Sequence, residues 1–397
     1  MEKNNLNKEQ NGENLEDNKE VIKAQKKEKK DKRFSWWQRL LIVLGCVVLC
    51  VVLVLGGYVA YLSIQFYRIE DNAALAVENN QQGVLTLGQE LSIATYNIGF
   101  GAYSQDFSFF MDSGKTLTGK TLQGTGSRAK NKDTVLYNTN GALSVVDNNY
   151  DFMFFQEVDT NSHRSYKVNQ LNLITSKFGN YSCSFASNFH SGYLFYPLTN
   201  PHGSVNSGIA TLSKYNITSA TRRSLPIDMG FVNKFFDLDR CFSVSRLKID
   251  GTNKELVLIN VHLSAYDEGG KVRAEQLEVL NGVLADEYQK GNYVVAGGDF
   301  NHDIAGTINS FTTNREVPDW VYELNNSNLA ENFTFAASNL VPTCRSTDAP
   351  YVKNESYTVT LDGFIVSDNI EVISVENIDT DFVYSDHNPA TMKFRLI

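Results

Sequence analysis

Several apolar segments of the sequence end in polar side chains that an apolar strand does not need. These residues are Asn97, Glu157, His262, Asp299 with Asn301, and Asp386 with His387. Histidine exchanges protons near neutral pH, and carboxylate and amide oxygens are the ligands that hard cations prefer. Any one of these residues alone is more typical of a turn, a cap or a structural histidine. Their recurrence in order favours a site built where several strands end.

The segments that carry these residues have the length, β-branched content and alternation of strands. The predicted strands are 92–100, 152–158, 208–215, 240–249, 255–264, 293–300, 359–367 and 390–397. Helical patterns are fewer. The clearest covers 271–291, where apolar residues recur at spacings of three and four before Gly291 ends the helix.

The N-terminal part of the chain differs in composition from the rest. Residues 1–35 are mostly Lys, Glu, Asn, Asp and Gln, which predicts a disordered charged tail. Leu40–Tyr67 contains no charged residue and is longer than the roughly 20 residues that cross a bilayer as a helix. A cleavable signal peptide would have a shorter apolar region of about 7 to 15 residues and a small-residue cleavage site. We therefore predict a transmembrane helix with its flanks at 36–67, a stalk at 68–86 and a folded domain at 87–397.

Charge predicts the orientation of the helix and limits the partners of the domain. Lysines and arginines cluster before the apolar segment, whereas only Arg68 closely follows it. The N-terminus is therefore predicted to be cytoplasmic and the domain extracellular, with one pass through the plasma membrane. Residues 1–64 contain 11 of the 36 basic and 8 of the 45 acidic residues, so the remainder carries a net charge near −12. This sign disfavours a protein that binds long nucleic acid through its phosphates.

The ordered set, completed by Asp362 in TLDGF, resembles the endonuclease/exonuclease/phosphatase superfamily. That superfamily includes deoxyribonucleases, apurinic endonucleases, inositol polyphosphate 5-phosphatases and bacterial sphingomyelinases. The resemblance covers about residues 90 to 397. It implies an α/β fold of the α+β type, a four-layer α/β/β/α sandwich of two mixed, largely antiparallel sheets with the site at one end. One transmembrane helix would precede this domain.

The resemblance also implies a metal site and an acid–base pair. Asn97 and Glu157 would bind Mg²⁺, with Mn²⁺ as the alternative ion, and Asp386 would add a direct or water-mediated ligand. His387 would be the general base, and Asp362 would orient its imidazole.

Three further residues would act on the attacking water and on the phosphoryl group. By the same resemblance, Asp299 would orient the water and Asn301 would bind a phosphoryl oxygen. His262 would donate to another oxygen as negative charge builds in the transition state. The implied reaction is in-line attack of water on a phosphoester, without a covalent intermediate.

Three residues are weaker candidates for contact with the substrate. Arg164 offers a bidentate fork to a phosphate, although an exposed loop arginine explains it equally well. Asn206 and Tyr266 fall where some superfamily members place a site residue and a phosphate-contacting tyrosine. No role is assigned to His302, Arg240 or Arg273.

The predicted function is that of a membrane-anchored, metal-dependent phosphoester hydrolase, either a phosphodiesterase or a phosphatase. The acidic domain and the anchor favour a small or membrane-borne phosphoester such as a phospholipid head group. An extracellular nuclease that acts on DNA is one alternative. A non-catalytic, membrane-tethered binding ectodomain is another, but every expected site position is filled. No protein partner is inferred.

Overall fold

A computed structural model describes residues 17–27, 34–147, 150–231, 233–265 and 271–397. The chain divides into two units, Met1–Tyr61 and Leu62–Ile397. The helices are α1 (17–27), α2 (Trp36–Gln65), α3 (Lys132–Val145), α4 (Gln170–Lys177) and α5 (Lys271–Gln289). The strands are β1 (Ala73–Ala74), β2 (Val77–Glu78), β3 (Glu90–Asn97), β4 (Ser113–Lys115), β5 (Thr121–Gln123), β6 (Phe152–Asp159), β7 (Ser182–Leu194), β8 (Gly203–Ser213), β9 (Ser219–Ser224), β10 (Cys241–Lys248), β11 (Glu255–His262), β12 (Tyr293–Asp299), β13 (Phe333–Ala336), β14 (Cys344–Arg345), β15 (Thr358–Val359), β16 (Asp362–Ser367), β17 (Ile370–Asn377) and β18 (Ala390–Leu396).

Helix α2 coincides with the predicted transmembrane segment. It has 30 residues and, within the described part of the chain, is the one helix long and apolar enough to cross a membrane. The tail before it is not wholly irregular, because 17–27 form the exposed helix α1. Ala, Lys, Glu and Gln in that stretch are good helix formers, a preference that the disorder prediction did not weigh. The rest of the predicted tail up to residue 33 lies outside the described residues.

Residues 68–86, predicted to be a stalk, instead lie on the folded domain. Strand β1 pairs with β9 and strand β2 pairs with β7, so the segment adds an edge strand to each sheet. Asp71 accepts a hydrogen bond from Arg223 at 3.0 Å, and Leu85 is fully buried. The segment is polar because edge strands keep one side in water, and not because it spaces the domain from the membrane.

Two seven-stranded sheets form the centre of the domain. Their strand orders are β1-β9-β10-β11-β12-β16-β13 and β17-β18-β3-β6-β8-β7-β2. Strands β11 and β12 are parallel, as are β3 and β6, whereas the other neighbours in both sheets are antiparallel. The prediction of two mixed, largely antiparallel sheets is confirmed.

The sheets pack face to face, and helices cover their outer faces. The core between the sheets contains Leu91 and Ile93 of β3 with Leu256 and Leu258 of β11. Helices α3 and α4 pack on the outer face of the sheet that contains β3, and α5 packs on the outer face of the other sheet. Successive side chains of a strand point to opposite faces, so the central strands bury both faces and are apolar nearly throughout. The four-layer sandwich is thereby confirmed.

Candidate active site

Three of the predicted site residues lie side by side on neighbouring strands of one sheet. The pairing of β11 with β12 places His262 opposite Asp299, and the pairing of β12 with β16 places Asp299 opposite Asp362. His262 Nε2 lies 3.7 Å from Asp299 Oδ2. The register of three central strands therefore aligns an imidazole and two carboxylates at one end of the sheet.

The chain around Asp299 adopts backbone conformations that restrict the sequence. Gly298 has φ 144°, and a Cβ there would lie 2.0 Å from the carbonyl oxygen of Val261. Asn301 has φ 51°, a region that asparagine tolerates better than most residues. Its backbone N–H donates to Asp299 Oδ1 at 2.8 Å, and its Nδ2 donates to the Leu263 carbonyl at 2.8 Å. The turn after β12 thus fixes the Asp299 carboxylate through its own backbone.

Asn97 and Glu157 come from the other sheet, at the ends of the parallel strands β3 and β6. The register of β6 shifts between Phe155 and Val158, and Glu157 has φ 55°. Bulges of this kind re-aim a side chain. Asn97 Nδ2 donates to Asp299 Oδ2 at 3.0 Å and to Glu157 Oε1 at 3.3 Å. One buried amide therefore connects the polar residues of the two sheets.

Asp386 and His387 lie in the loop that precedes β18. The Ser385 hydroxyl donates to the carbonyl oxygen of Asn97 at 2.8 Å and so fixes this loop beside β3. His387 Nδ1 lies 2.8 Å from Oδ2 of the fully buried Asp362, and His387 Nε2 lies 3.7 Å from Oδ2 of Asp299. The contact with Asp362 sets the orientation of the imidazole and leaves Nε2 on the side of Asp299.

The two buried histidines of the site differ in charge. Burial lowers the pKa of His387, but the carboxylates of Asp362 and Asp299 outweigh burial and raise it well above the ordinary value. Burial lowers the pKa of His262 well below the ordinary value, and the positive charge of Arg240 acts in the same direction. At neutral pH, His262 is therefore an uncharged imidazole, whereas His387 readily holds a proton.

Two carboxylates of the site also have shifted pKa values. Burial raises the pKa of Asp299 to about 6, against the opposing charge of His387. Burial also raises the pKa of Asp386 to about 6; the Glu157 carboxylate adds to the shift, and His387 and Arg345 oppose it. The ionised forms of both groups are therefore less stable here than in water.

A single cavity of about 640 Å³ joins these side chains. Its lining includes Glu157, His262, Asp299, Asn301, Asp386 and His387. Asn97 and Asp362 are buried behind them, each in contact with a residue that lines the cavity. A volume of this size is typical of a site that receives a whole small molecule.

A family match covers most of the domain, and not only the site residues. The model of the Endonuclease/Exonuclease/phosphatase family matches residues 94–387, a span that contains all of the side chains described above. The chain belongs to this family. A comparison with curated protein sequences found no match.

Solved structures with the same fold share little sequence with this endonuclease/exonuclease/phosphatase family member. TDP2 from D. rerio, complexed with a single-strand DNA product, is 12% identical with a TM-score of 0.48, over 77% of this chain and 99% of that one. The human Nocturnin catalytic domain with bound sulfate is 16% identical with a TM-score of 0.47, over 81% and 98%. ANGEL2, a 2',3'-cyclic phosphatase, is 14% identical with a TM-score of 0.47, over 83% and 99%. These likenesses concern the fold alone.

Two groups of donors in this family member have the chemistry to hold a cation. Asp299, Asp362 and His387 have potential ligand atoms within 4.8 Å of one another. In that group, however, the Asp362 carboxylate already faces the His387 imidazole at hydrogen-bond distance. Glu157 and Asp386 form the second group, and within the described residues neither forms a salt bridge. The two carboxylates of the second group repel each other, and a hard cation would relieve this repulsion. The second group therefore fits Mg²⁺ better than the first.

Arg164 lines the cavity, but its guanidinium is already engaged by the protein. Its Nε and Nη2 donate to the Asp159 carboxylate at 3.1 and 2.9 Å. Its Cζ lies 3.9 Å from the centre of the Phe100 ring. The side chain is buried, so Arg164 is not an exposed loop arginine, and two of its nitrogens face a carboxylate of the protein itself.

Of the other weak candidates, Asn206 is not brought into the cavity. Asn206 is exposed on β8, and its Nδ2 donates to the Asn161 carbonyl at 3.2 Å. It is not among the described residues that line the cavity. Tyr266 lies outside the described residues. Of the residues left without a role, His302 Nδ1 lies 2.7 Å from the Phe300 carbonyl oxygen.

Two arginines of the cavity were not assigned by sequence analysis. Arg240 Nη1 donates to the Leu263 carbonyl at 2.8 Å, and its buried Nε has no hydrogen-bond partner within the described residues. Arg345 Nη2 donates to the Ser104 carbonyl at 3.0 Å, and the charge of Arg345 acts on Asp386. Arg240 begins a predicted strand, and that position could have identified it as a candidate site residue. Arg345 lies outside every predicted element, so the sequence contained no comparable signal.

Proposed function

We propose that the protein hydrolyses phosphoesters with a water molecule activated by His387 and Asp362, in a reaction that requires a divalent cation. The observation that carries this proposal is the 2.8 Å contact between His387 Nδ1 and the buried Asp362 carboxylate, at the wall of a cavity that Asp299 also lines. An imidazole held at one nitrogen by a carboxylate accepts a proton at the other nitrogen and is stabilised once charged.

The site residues then have separate tasks in an in-line displacement. His387 takes a proton from the attacking water at Nε2, and Asp362 stabilises the imidazolium that forms. Asp299 accepts a hydrogen bond from the same water and directs its lone pair at phosphorus. The neutral His262 and the Asn301 amide donate to phosphoryl oxygens as negative charge develops on them. No side chain needs to form a bond with phosphorus.

Mg²⁺ is the cation we propose, with Mn²⁺ as the alternative. Glu157 and Asp386 would hold it together with the amide oxygen of Asn97. Asn97 Oδ1 accepts one hydrogen bond, from the Gly99 N–H at 3.0 Å, and a carbonyl oxygen has a second lone pair. When bound, the cation neutralises negative charge on the phosphoryl group and on the leaving oxygen.

We further propose that helix α2 anchors the protein in the plasma membrane. Its length and composition support a single crossing, and the lysines and arginines that precede it support a cytoplasmic N-terminus. The catalytic domain would then be extracellular. Protease added to intact cells is expected to remove the domain, and a domain that survives this treatment would contradict the orientation.

The reaction is tested with the full chain in detergent micelles, because residues 68–86 supply an edge strand to each sheet. Hydrolysis of bis(p-nitrophenyl) phosphate is measured with Mg²⁺ and with EDTA. We expect activity that EDTA abolishes and Mg²⁺ restores, and that His387→Gln lowers by at least about 10²-fold.

His163→Gln is the matched control. His163 is half-buried and hydrogen-bonds to Ser204, and it is not among the described residues that line the cavity. This variant should retain the activity of the wild type. A wild type that is inert on the diester and on DNA, phospholipids and phosphate monoesters, or a His387→Gln variant as active as the control, would contradict the proposal.

A further inference from the structure

Beside the catalytic residues, the cavity has many apolar and aromatic side chains in its lining. They include Phe109, Phe110, Phe236, Leu238 and Trp320, which together we call the aromatic wall. Such side chains do not stabilise a phosphoryl group, because its oxygens require hydrogen-bond donors and cations. The part of the substrate that carries the phosphoester is therefore expected to be apolar where it meets these rings.

One segment, described at 225–231 and 233–240, separates this cavity from the end of helix α2. On one side, Leu62 and Phe66 line a crevice together with Ile227 and Phe235 of this segment. On the other side, Phe236 and Leu238 line the catalytic cavity. Asp237 lines both the crevice and the cavity.

Several contacts hold the chain that follows α2 against this segment. The rings of Phe66 and Phe235 are 5.8 Å apart at nearly right angles, and Lys234 Nζ lies 5.4 Å from the centre of the Phe66 ring. Arg68 forms an ion pair with Asp239, and the backbone N–H of Ile69 donates to the same carboxylate at 2.9 Å. The residues at which the apolar helix ends are thus fixed to the segment that forms the cavity wall.

Strand register places this junction at the catalytic end of the domain. Asp239 immediately precedes β10, and Phe242 near the start of β10 pairs with Val261, the neighbour of His262. Residues that directly follow a membrane-spanning helix lie at the membrane surface. A crossing by α2 therefore brings the catalytic end of the sandwich to that surface.

Exposed apolar side chains lie close along the chain to residues that line the cavity, on the same segment and on the loop between β7 and β8. Met229 and Phe231 are 54% and 61% exposed, next to Asp228 and Asn233 of the cavity lining. Tyr196 lines the cavity and is 59% exposed, and Leu198 is 83% exposed. We call these four residues the apolar rim. Clustered exposed apolar side chains of this kind mark surfaces that bind membranes or other partners.

The charges at the cavity do not suit a polynucleotide. Its described lining contains no lysine, and the three arginines in it are each more than nine-tenths buried. Asp112, Asp228 and Asp237 add negative charge to the same lining. Binding along a nucleic acid requires accessible cations for successive phosphates.

From the fixed helix end, the apolar rim and the aromatic wall, we infer that the substrate is the phosphoester of a membrane lipid. The apolar rim docks on the bilayer in which α2 is anchored, and the lipid enters the cavity with its apolar part against the aromatic wall. This inference rests on the proposed phosphoester hydrolysis and adds its substrate class and its docking surface.

The test uses the full chain in vesicles of phosphatidylcholine, phosphatidylglycerol and sphingomyelin. Loss of each lipid is measured by mass spectrometry, and bis(p-nitrophenyl) phosphate in the same vesicles gives the rate on a soluble ester. We expect the wild type to hydrolyse at least one of the three lipids. The double variant Met229→Ser/Phe231→Ser should lose about tenfold or more of the lipid rate, because two apolar side chains no longer enter the bilayer. Its rate on the soluble ester should stay within about twofold of the wild type.

Leu87→Ser is the matched control for the double variant. Leu87 is 50% exposed and precedes β3. Asn97 is at the opposite end of this eight-residue strand, which is about 23 Å long. Leu87→Ser should leave both rates unchanged. In vesicles whose acyl chains are brominated, the fluorescence of Phe231→Trp should be quenched more than that of Leu87→Trp, which has the same native tryptophans.

The outcomes separate the inference from the proposed function. A wild type that cleaves the soluble ester but none of the lipids, or that cleaves single-stranded DNA faster than any lipid, overturns the lipid inference and leaves phosphoester hydrolysis standing. Equal quenching of Phe231→Trp and Leu87→Trp, or a double variant whose two rates fall together or not at all, overturns docking by the rim. A wild type inert on every ester contradicts the proposed function itself.

Discussion

Two pairs of titratable groups at the cavity differ in how their charge is balanced. On one side, the buried Asp362 carboxylate faces the His387 imidazole at 2.8 Å. On the other side, Asp386 and Glu157 are both carboxylates, and the Glu157 carboxylate adds to the burial that raises the pKa of Asp386. The first pair has its countercharge within the protein, whereas neither carboxylate of the second pair forms a salt bridge within the described residues. This difference is why we propose proton transfer for the first pair and cation binding for the second.

Removal of the balanced pair is expected to have the largest effect. His387→Ala should lower kcat by about 10³-fold, because the water then has no base. Asp362→Ala should cost somewhat less, and the double variant should be no slower than His387→Ala, since residues that act as one unit are not additive. Single-turnover rates of the three variants check this. Additive losses would show that Asp362 does not act through His387.

The imbalance on the other side predicts a change in the requirement for Mg²⁺. Glu157→Gln should raise the half-saturating Mg²⁺ concentration at least about tenfold, because one of two anionic ligands is lost. Asp362→Asn is the control, and its half-saturating concentration should stay near that of the wild type. Activity is titrated with Mg²⁺ for both variants. The reverse result would place the cation in the cluster of Asp299, Asp362 and His387.

The same comparison shows what sequence could and could not reveal. All eight predicted strands overlap a strand of the structure, since each central strand is buried on both faces and is therefore apolar. The 13-residue β7 was missed because serines and asparagines occupy many of its positions, including buried ones such as Ser184 and Asn188. The pattern of polar strand ends picked out residues that the fold brings together at one cavity. It gave no sign that the Arg164 guanidinium is held by Asp159, because that depends on tertiary packing alone.

A shift of the pH profile should separate the two sides further. His387 must be neutral to accept a proton, and Asp362 with Asp299 raises its pKa well above the ordinary value of 6.5. The acid limb of kcat/KM should therefore lie above pH 6.5 in the wild type, with activity rising as pH increases. In Asp362→Asn the limb should move to lower pH, because the largest charge that favours the imidazolium is gone. A limb that stays in place would assign it to a group other than His387.

The smallest expected effect concerns stability on the unbalanced side. Burial with Glu157 nearby raises the pKa of Asp386 from 3.8 to about 6 in the folded protein. A raised carboxyl pKa contributes stability below pH 3.8, and this contribution is lost as pH rises through about 6. Asp386→Asn removes the ionised form, so without Mg²⁺ its Tm should exceed that of the wild type by a few degrees above pH 6 and by less at pH 4. Mg²⁺ should raise the Tm of the wild type more than that of the variant. Thermal unfolding of both proteins in micelles at the two pH values measures this, and a Tm difference independent of pH would show that Asp386 is balanced by the protein alone.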